Sequence, residues 1–352
     1  MTESEIPDTI ETLRELVSIS SPSGSEEPAV EYLVKLMTKM GLEAQIDEVG
    51  NAVGSTKGKG VKILMVGHVD TVVGEIPVRE SEGMLFGRGT VDAKGPLMAM
   101  IFAAARFVDR SDINITVIGA VEEESSSKGA RALGSRYQPD YVIIGEPSGW
   151  EGICIGYKGH MQATYKVECP PVHRAHPRAN AIEVALQYYA DVQNLCGSRT
   201  YFKTEPLFET LSVAPMDIRI ERGTLKNTVE LDLDIRIPHN LSISELENNL
   251  NALVNDGTLN IYHTDPPVLV DKNNPLVRSL LKAIRSNNGI PKFKKKTGTS
   301  DMNILAQDWS VPIISYGPGD SSLDHTPEEH IDLEEYQRAI KVLADAVDAL
   351  VE

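Results

Sequence analysis

The sequence predicts an α/β fold in which a doubly wound, mostly parallel sheet forms the larger domain and a smaller α+β domain is inserted into it. Short apolar runs alternate with helical stretches up to about residue 157 and again after residue 265, whereas the segment between them has the pattern of antiparallel strands packed on helices. A chain of 352 residues also exceeds the size at which one core usually divides. We therefore expect one domain in two parts, 1–157 and 265–352, interrupted by an inserted domain, 158–264.

The periodicity of apolar residues predicts the elements of the first part. Residues 6–40 have the pattern of two helices; the second begins near Ser25, where acids and the early Pro28 suit a helix N-terminus, and it ends at Gly41. Strands are expected at 61–66, 113–121 and 141–144, and helices at 96–108 and from 128 to 133. This alternation indicates a parallel sheet covered by helices on both faces.

The middle of the chain has a different pattern from its two ends. Strands are expected in the insertion at 161–168, 211–219 and 228–237, and helices at 180–192 and 242–253. A helix over 274–286, a strand near 311–316 and a C-terminal helix from 333 then restore the α/β pattern. An insertion is the simplest arrangement that gives this order.

Composition and charge exclude several classes of function. The net charge of -17 argues against nucleic acid or an anionic membrane as a partner. No apolar run approaches the roughly 20 residues that span a bilayer, and no apolar segment follows the acidic N-terminus, so we expect a cytoplasmic protein. Cys154, Cys169 and Cys196 are too widely spaced to suggest a disulfide framework or a zinc ribbon.

Side chains that bind metals follow the predicted strands. Ligands of open α/β sheets bind beyond the carboxyl ends of the strands. The candidates there are His68 and Asp70, then Asp92, the acidic triplet Glu122, Glu123 and Glu124, and finally Glu146 and His325. Imidazole and carboxylate are ligands that zinc prefers, and a pair of divalent cations would offset the repulsion between clustered carboxylates.

Each of these signals is weak alone. An isolated His-x-Asp is more often a satisfied polar pair, a Glu triplet is usually a solvated run, and Gly-Glu-Pro is normally a turn. Their joint placement at the ends of strands favours a site.

The same residues carry a resemblance to a known family. The motifs that carry it are His68-x-Asp70, Gly87-Arg88-Gly89-x-x-Asp92-x-Lys94-Gly95, the acidic pair, Gly145-Glu146-Pro147 and the late His325. It resembles the M20 family of dinuclear metallopeptidases and amidohydrolases over nearly the whole chain. The resemblance makes the larger domain catalytic and the inserted domain a lid and dimerisation domain.

The resemblance also implies a role for each site residue. His68 and Glu146 would bind one divalent ion, Asp92 would bridge both, and Glu124 and His325 would bind the second. Asp70 would orient His68, and Glu123 would be the general base. Two metal ions per subunit are implied, with zinc or cobalt expected.

The acidic triplet leaves the register open. The family pattern places a glycine five residues after the second glutamate, and Glu124 plus five is Gly129. This favours Glu123 as the base and Glu124 as the ligand. A register one residue earlier would make Glu122 the base and Glu123 the ligand.

Further roles in the inserted domain and near the substrate follow from the same resemblance. His173, or else His176, would donate to the oxyanion of the tetrahedral state, and Arg236 would grip a substrate carboxylate, unless it forms an ordinary salt bridge. Gly298, Thr299 and Ser300 belong to a segment that resembles the substrate-binding loop of the family. A homodimer through the lid domain is also implied.

A narrower resemblance concerns the substrate. Segments 86–89, 144–152, 296–303 and 316–327 are similar to the M20 branch that releases lysine or ornithine from the terminal glutamate of an acidic amino-group carrier protein in lysine and arginine biosynthesis. Lys292 and Lys294–Lys296 would give such a carrier a basic run to dock on, although the net charge would repel it at long range. The alternatives are a deacylase of free N-acyl amino acids (acetyl-lysine, acetyl-ornithine or succinyl-diaminopimelate), a peptidase, and a metal-binding scaffold without activity.

Overall fold

The computed structural model describes residues 7–171, 178–197 and 206–351. The chain forms two compact units. The first comprises Met1–Ile155, Val270–Lys294 and Ser300–Glu352, and the second comprises Gly156–Leu269 and Lys295–Thr299.

The chain begins with alternating helices and strands of the first unit, and the last of these strands ends in the second unit. These are α1 (Thr9–Val17), α2 (Glu27–Lys39), β1 (Glu43–Ile46), β2 (Ala52–Ser55), β3 (Val61–His68), β4 (Arg79–Ser81), β5 (Met84–Phe86), α3 (Lys94–Ala105), β6 (Ile113–Ala120), α4 (Lys128–Arg131), β7 (Tyr141–Gly145) and β8 (Gly152–Tyr157).

The second unit contains an antiparallel sheet and two longer helices. Its elements are β9 (Gly159–Cys169), α5 (Ala181–Leu195), β10 (Ser212–Arg222), β11 (Asn227–Ile237), α6 (Ile243–Ala252), β12 (Thr258–Asp265) and β13 (Val268–Leu269). We call the sheet with the order β10-β11-β9-β12 the second sheet. Apolar side chains on one of its faces form a core with α5 and α6.

The last part of the chain completes the first unit, apart from Lys295–Thr299, which belong to the second. It contains α7 (Pro275–Ser286), β14 (Lys292–Lys296), α8 (Asp301–Asp308), β15 (Ile313–Ser315), β16 (His330–Asp332) and α9 (Leu333–Val351). The lysine run therefore forms a strand, β14, which pairs with β8.

The central sheet is parallel in its middle. Its order is β1-β2-β6-β3-β7-β15-β8-β13, and β6, β3, β7 and β15 run parallel to one another. The strands on either side, β2 and β8, pair antiparallel with this block. The predicted α/β class with a mostly parallel sheet is confirmed. Because parallel strands end at the same edge, the residues after β3, β6 and β7 are brought together.

Helix α3 explains how this edge is supported. Every residue of α3 is buried, and the helix packs on β3, β6 and β7 as well as on α1 and α9. A helix that is apolar on all sides belongs inside a core rather than on a surface. The residues that precede α3, including Asp92, are therefore anchored to the most buried part of the first unit.

The described residues contain no helix long and apolar enough to cross a membrane.

Asn51 joins the start of β2 to the loop that follows β6. Its buried side chain accepts a hydrogen bond from the Val121 N–H (3.1 Å) and donates to the Gly129 carbonyl (3.2 Å) and to Asp47 (3.0 Å). We predict that Asn51→Ala lowers the free energy of unfolding by about 2–4 kcal/mol, because two buried backbone groups lose their partners. Chemical denaturation followed by circular dichroism measures this.

Asn251→Ala is the matched control, because this exposed amide donates to the Glu247 carbonyl on the surface of α6. We expect a change within about 0.5 kcal/mol for it. Equal losses in the two variants would contradict the structural role of Asn51.

Candidate metal centre and active site

His68 lies at the end of β3 and is held in one orientation. Its side chain is buried, and its Nδ1 lies 2.9 Å from the Asp70 carbonyl oxygen and 3.5 Å from a carboxylate oxygen of the same residue. Because a carbonyl oxygen only accepts, Nδ1 carries the proton and donates it. The second nitrogen, Nε2, then has a lone pair available for a cation.

Asp70 also anchors the acidic triplet. Its buried carboxylate accepts hydrogen bonds from the backbone N–H groups of Glu123 and Glu124, each at 3.0 Å, and from the Ser23 hydroxyl at 2.7 Å. Asp70 thus holds the imidazole after β3 chiefly through its backbone carbonyl, and the loop after β6 through its carboxylate. The role of the Asp70 carboxylate in orienting His68 stays a prediction, and its contacts with the acidic triplet and with Ser23 were not predicted from the sequence.

Asp92 lies between two histidines. One oxygen, Oδ1, is 3.1 Å from His68 Nε2, and the other, Oδ2, is 3.1 Å from His325 Nε2. Glu124 Oε1 lies 2.9 Å from His325 Nε2, and Glu146 Oε1 lies 4.0 Å from His68 Nε2. The two oxygens of one carboxylate therefore face two separate groups of donors.

The donors fit two divalent ions that share Asp92. One group is His68, Asp92 and Glu146, the other is Asp92, Glu124 and His325, and within each group the donor atoms lie within 4.8 Å of one another. Ligands about 2.0–2.1 Å from a tetrahedral zinc ion are about 3.3 Å apart, close to the separations seen here. The imidazole nitrogen in each group suits zinc or cobalt better than calcium or magnesium, which prefer an all-oxygen shell.

The raised pKa values of the two histidines also indicate a cluster that favours positive charge. Hydrogen bonds with Asp92 and Glu124 raise the pKa of His325 to about 10, against a smaller lowering by burial. Burial lowers the pKa of His68, but hydrogen bonds with Asp70 and Asp92 outweigh it and leave that pKa well above its ordinary value. Without cations, protons on the imidazoles offset the charge of the surrounding carboxylates.

Glu122 and Glu123 have different surroundings. The Glu122 carboxylate accepts from the Ser126 hydroxyl (2.6 Å) and from Lys128 (3.4 Å), outside the donor cluster. Glu123 lies with His68 and Glu124 in a further group of donor atoms within 4.8 Å of one another. Burial raises the pKa of Glu123 well above its usual range; His68 opposes this rise, and the charge of Glu146 adds to it. The individual roles within the triplet stay predictions.

Glu329 is a further residue of the site, and it was not predicted from the sequence. It is buried, its Oε1 accepts from the backbone N–H groups of Val91 (2.9 Å) and Asp92 (3.2 Å), and its Oε2 pairs with Arg88 at 2.7 Å. Glu329 lies only four positions after His325 in the chain. One short segment therefore supplies a candidate ligand and also holds the backbone at Asp92.

The residues predicted for the inserted domain and the substrate loop have other surroundings. Arg236, in the second unit, pairs with Asp234 through Nε–Oδ1 at 2.9 Å. Gly298 and Thr299 lie between β14 and α8, and the Ser300 hydroxyl accepts from the Met302 N–H as the N-cap of α8. His173 and His176 lie outside the described residues.

The fold and the donor cluster define a metal-dependent hydrolase with an α/β catalytic core, and comparison with known proteins agrees. Residues 64–349 match the peptidase family M20/M25/M40. The chain belongs to this family. The prediction of a hydrolase of the M20 family is confirmed.

The relatives extend the match to nearly the whole chain. A LysW-lysine hydrolase of Deinococcus radiodurans is 40% identical, covering 97% of this chain and 96% of the relative. A LysW-lysine/LysW-ornithine hydrolase of Saccharolobus solfataricus is 34% identical, covering 97% and 95%. Among solved structures, aminopeptidase PepT of Bacillus cereus is similar in fold, with a TM-score of 0.79 at 18% identity and 98% coverage of both chains.

The raised pKa values predict how metal removal depends on pH. A histidine whose folded pKa is raised stabilises the protein below its unfolded pKa of about 6.5, and this stabilisation is lost as the pH rises through the folded value. His325, with a pKa of about 10, therefore makes the metal-free protein lose stability between about pH 6.5 and 10. The metal-loaded protein does not lose stability in this way, because side chains that bind a metal ion are already deprotonated.

We thus expect the difference in melting temperature between metal-loaded and chelator-treated protein to widen from pH 6.5 to pH 9.5. Differential scanning calorimetry at both pH values measures it. A difference that is constant or that narrows would contradict this account of the site.

Replacement of Glu329 tests its role in holding Asp92. We predict that Glu329→Gln weakens binding of the metal ions by about 10–100-fold, as is usual when a residue that orients a ligand is lost. Competition with a chromogenic chelator measures the dissociation constants. Glu328→Gln is the matched control, because Glu328 is exposed and adjacent; an equal effect in both variants would rule out the positioning role.

Proposed function

We propose that this chain is a two-metal amidohydrolase that releases lysine or ornithine from the terminal glutamate of an acidic amino-group carrier protein of the LysW type. The observation that carries the proposal is the pair of donor groups that share Asp92, with Glu123 beside them. The choice of substrate is supported by the relatives that are named LysW-lysine or LysW-lysine/LysW-ornithine hydrolases and match over nearly their whole length.

The metal ligands follow from the two donor groups. His68 and Glu146 would hold one ion, Glu124 and His325 the other, and Asp92 both, with zinc or cobalt as the metal. Such ions, when bound, polarise a scissile carbonyl and make a water molecule a better nucleophile at neutral pH.

Glu123 is the proposed general base. Its carboxylate would take a proton from the attacking water and deliver it to the amide nitrogen as the C–N bond breaks, so that lysine leaves with a neutral amine. The surroundings of Glu123 favour this exchange, because burial and the charges of neighbouring carboxylates raise its pKa well above the usual range and so stabilise the protonated form. Asp70 would keep both Glu123 and His68 in position.

We propose further catalytic and binding roles for residues of the second unit and for Ser300 of the first. His173 would stabilise the oxyanion, and Arg236 would bind a substrate carboxylate with its guanidinium fork. Gly298, Thr299 and Ser300 would contact the substrate. We further propose that the first unit is the catalytic domain and the second the lid, with boundaries near residues 157 and 265, and that the protein is cytoplasmic.

A homodimer through the lid is supported by β10. In the described part of the chain, β10 pairs with β11 on one side and forms an edge of the second sheet. Its exposed apolar side chains are Met216, Ile218 and Ile220. A long edge strand with apolar side chains is a surface that a second copy of the chain would cover.

Docking of an acidic carrier depends on the surroundings of β14. Lys292 pairs with Glu151 at 2.9 Å, and Lys295 pairs with Glu209 at 2.8 Å. Part of the positive charge of the lysine run is therefore already neutralised within the chain. We therefore expect the electrostatic attraction between β14 and a carrier to be smaller than its four lysines suggest. Specificity should then depend more on recognition of the linked lysine than on this attraction.

Parallel hydrolysis of two substrates tests the proposed function. The metal-loaded protein is incubated with N-acetyl-lysine and with a carrier protein that bears lysine in amide linkage on its terminal glutamate, and released lysine is quantified. Release chiefly from the carrier is expected. A preference for the acetyl compound would instead assign a general deacylase, and inertness toward both would contradict the proposal.

Three glutamine variants test the acidic triplet. Glu123→Gln should lower kcat by at least about 100-fold, as expected for loss of a general base, while two metal ions remain bound. Glu124→Gln should weaken binding of one ion. Metal content by mass spectrometry and kcat are measured for each variant.

Glu122→Gln is the matched control, since the Glu122 side chain contacts Ser126 and Lys128. We expect its kcat to stay within a few-fold of wild type. Loss of turnover in Glu122→Gln with retained turnover in Glu123→Gln would contradict the assignment of the base.

A further inference from the structure

The second sheet has one apolar face and one polar face. Along β9 and β11, alternate side chains such as Met161 and Ile235 are buried against the core formed with α5 and α6. The side chains between them point to the other face, where His160 and Arg236 are direct neighbours across the two strands. The polar face is therefore built from ordinary strand alternation.

A β-bulge in β12 adds two more ligand-type side chains to this polar face. Up to Ile261, the residues of β12 pair in regular register with β9, and Ile261 lies opposite the buried Ala163. The register shifts between Ile261 and His263. As a result, His263 and Asp265 lie on the polar face, and Asp265 lies directly opposite His160.

These side chains form a compact group of metal donors. His160, His263 and Asp265 each offer one donor atom, and the three atoms lie within 4.8 Å of one another. His263 Nε2 is 2.7 Å from Asp265 Oδ2, and the two imidazole rings have centroids 5.2 Å apart. We propose that His160, His263 and Asp265 bind a divalent transition-metal ion on the second sheet, in addition to the dinuclear centre.

The surroundings of the group favour a cation with borderline-soft character. The Asp265 side chain is only 9% exposed and that of His160 only 12%, whereas His263 at 27% leaves a route for an ion from solvent. Two imidazoles and one carboxylate are donors that zinc and cobalt accept, whereas calcium and magnesium prefer an all-oxygen shell. The ion would take the place of the direct contact between His263 Nε2 and Asp265 Oδ2.

Asp234 supplies the supporting contact that such sites usually have. Its Oδ2 lies 2.7 Å from His160 Nε2, and Arg236 pairs with the same carboxylate. A carboxylate on one ring nitrogen fixes the orientation of the imidazole and raises the basicity of the other nitrogen. Because Arg236 compensates the charge of Asp234, Asp265 would be the ligand that carries the negative charge.

The proposed ion would join β9 to the edge strand β12 at its bulged end. This site does not depend on the proposed hydrolase activity, since all its residues lie in the second unit. Its expected effect is on metal stoichiometry and on the stability of the second sheet.

Metal stoichiometry tests this site in the full-length protein. Metal-stripped protein is titrated with Co²⁺, unbound ion is removed by gel filtration, and bound cobalt per chain is measured by mass spectrometry. His263→Ala and His160→Gln, on two different strands, should each bind one equivalent fewer than wild type. Gln162→Ala is the matched control, because Gln162 lies opposite His263 on the same face, and it should bind as many ions as wild type.

Because the variants are compared with wild type, the difference in bound cobalt does not depend on how fully the dinuclear centre is occupied. Equal stoichiometry in wild type, both histidine variants and the Gln162 variant would overturn it. Circular dichroism in each sample verifies folding, and cobalt should raise the melting temperature of wild type more than that of either histidine variant. A histidine variant that is folded yet retains the full number of ions would also overturn the proposal.

Discussion

The repulsion between carboxylates around Asp92 is the constraint on which the site depends. Asp92, Glu123, Glu124 and Glu146 lie within a few ångströms of two histidines, in a part of the first unit that is largely withdrawn from water. Like charges in such a place are costly unless cations or protons compensate them. The raised pKa values of His68, His325 and Glu123 are the response of the metal-free protein to this cost. Divalent ions would offset the repulsion between the carboxylates, and the same carboxylates would hold the ions in place for catalysis.

The scaffold brings these groups together through parallel strands and two buried acids. Because β6, β3 and β7 end at one edge of the sheet, His68, the acidic triplet and Glu146 arrive there from separate parts of the chain. Asp70 then fixes His68 and the triplet relative to each other, and Glu329 fixes the backbone at Asp92. Neither acid belongs to the donor groups, yet each holds the side chain or the backbone of candidate ligands.

Local sequence patterns predicted much of this arrangement. Apolar periodicity predicted β3, β6, β7 and α3, and the residues directly after the strands predicted the donor cluster, because strand ends and ligands are adjacent in sequence. Glu329 could not be found in this way, since the N–H groups that it accepts from lie more than 230 positions earlier in the chain. The strand β14 was not predicted because four of its five residues are lysines, which are usually solvated, and β12 was not predicted because its bulge breaks the alternation of apolar residues. The role of Ser300 could not be predicted from its motif alone, because this residue of a segment that resembles a substrate loop also caps α8.

Anomalous diffraction at the zinc absorption edge, from crystals of the zinc-loaded protein, tests most directly whether Asp92 is shared by two metal ions. We predict two strong peaks about 3.5–4 Å apart, as in other two-metal sites, with one oxygen of Asp92 bound to each ion. His68 and Glu146 should complete one site, and Glu124 and His325 the other. A single ion at this edge of the sheet, or two ions with Asp92 bound to neither or to only one, would contradict the account.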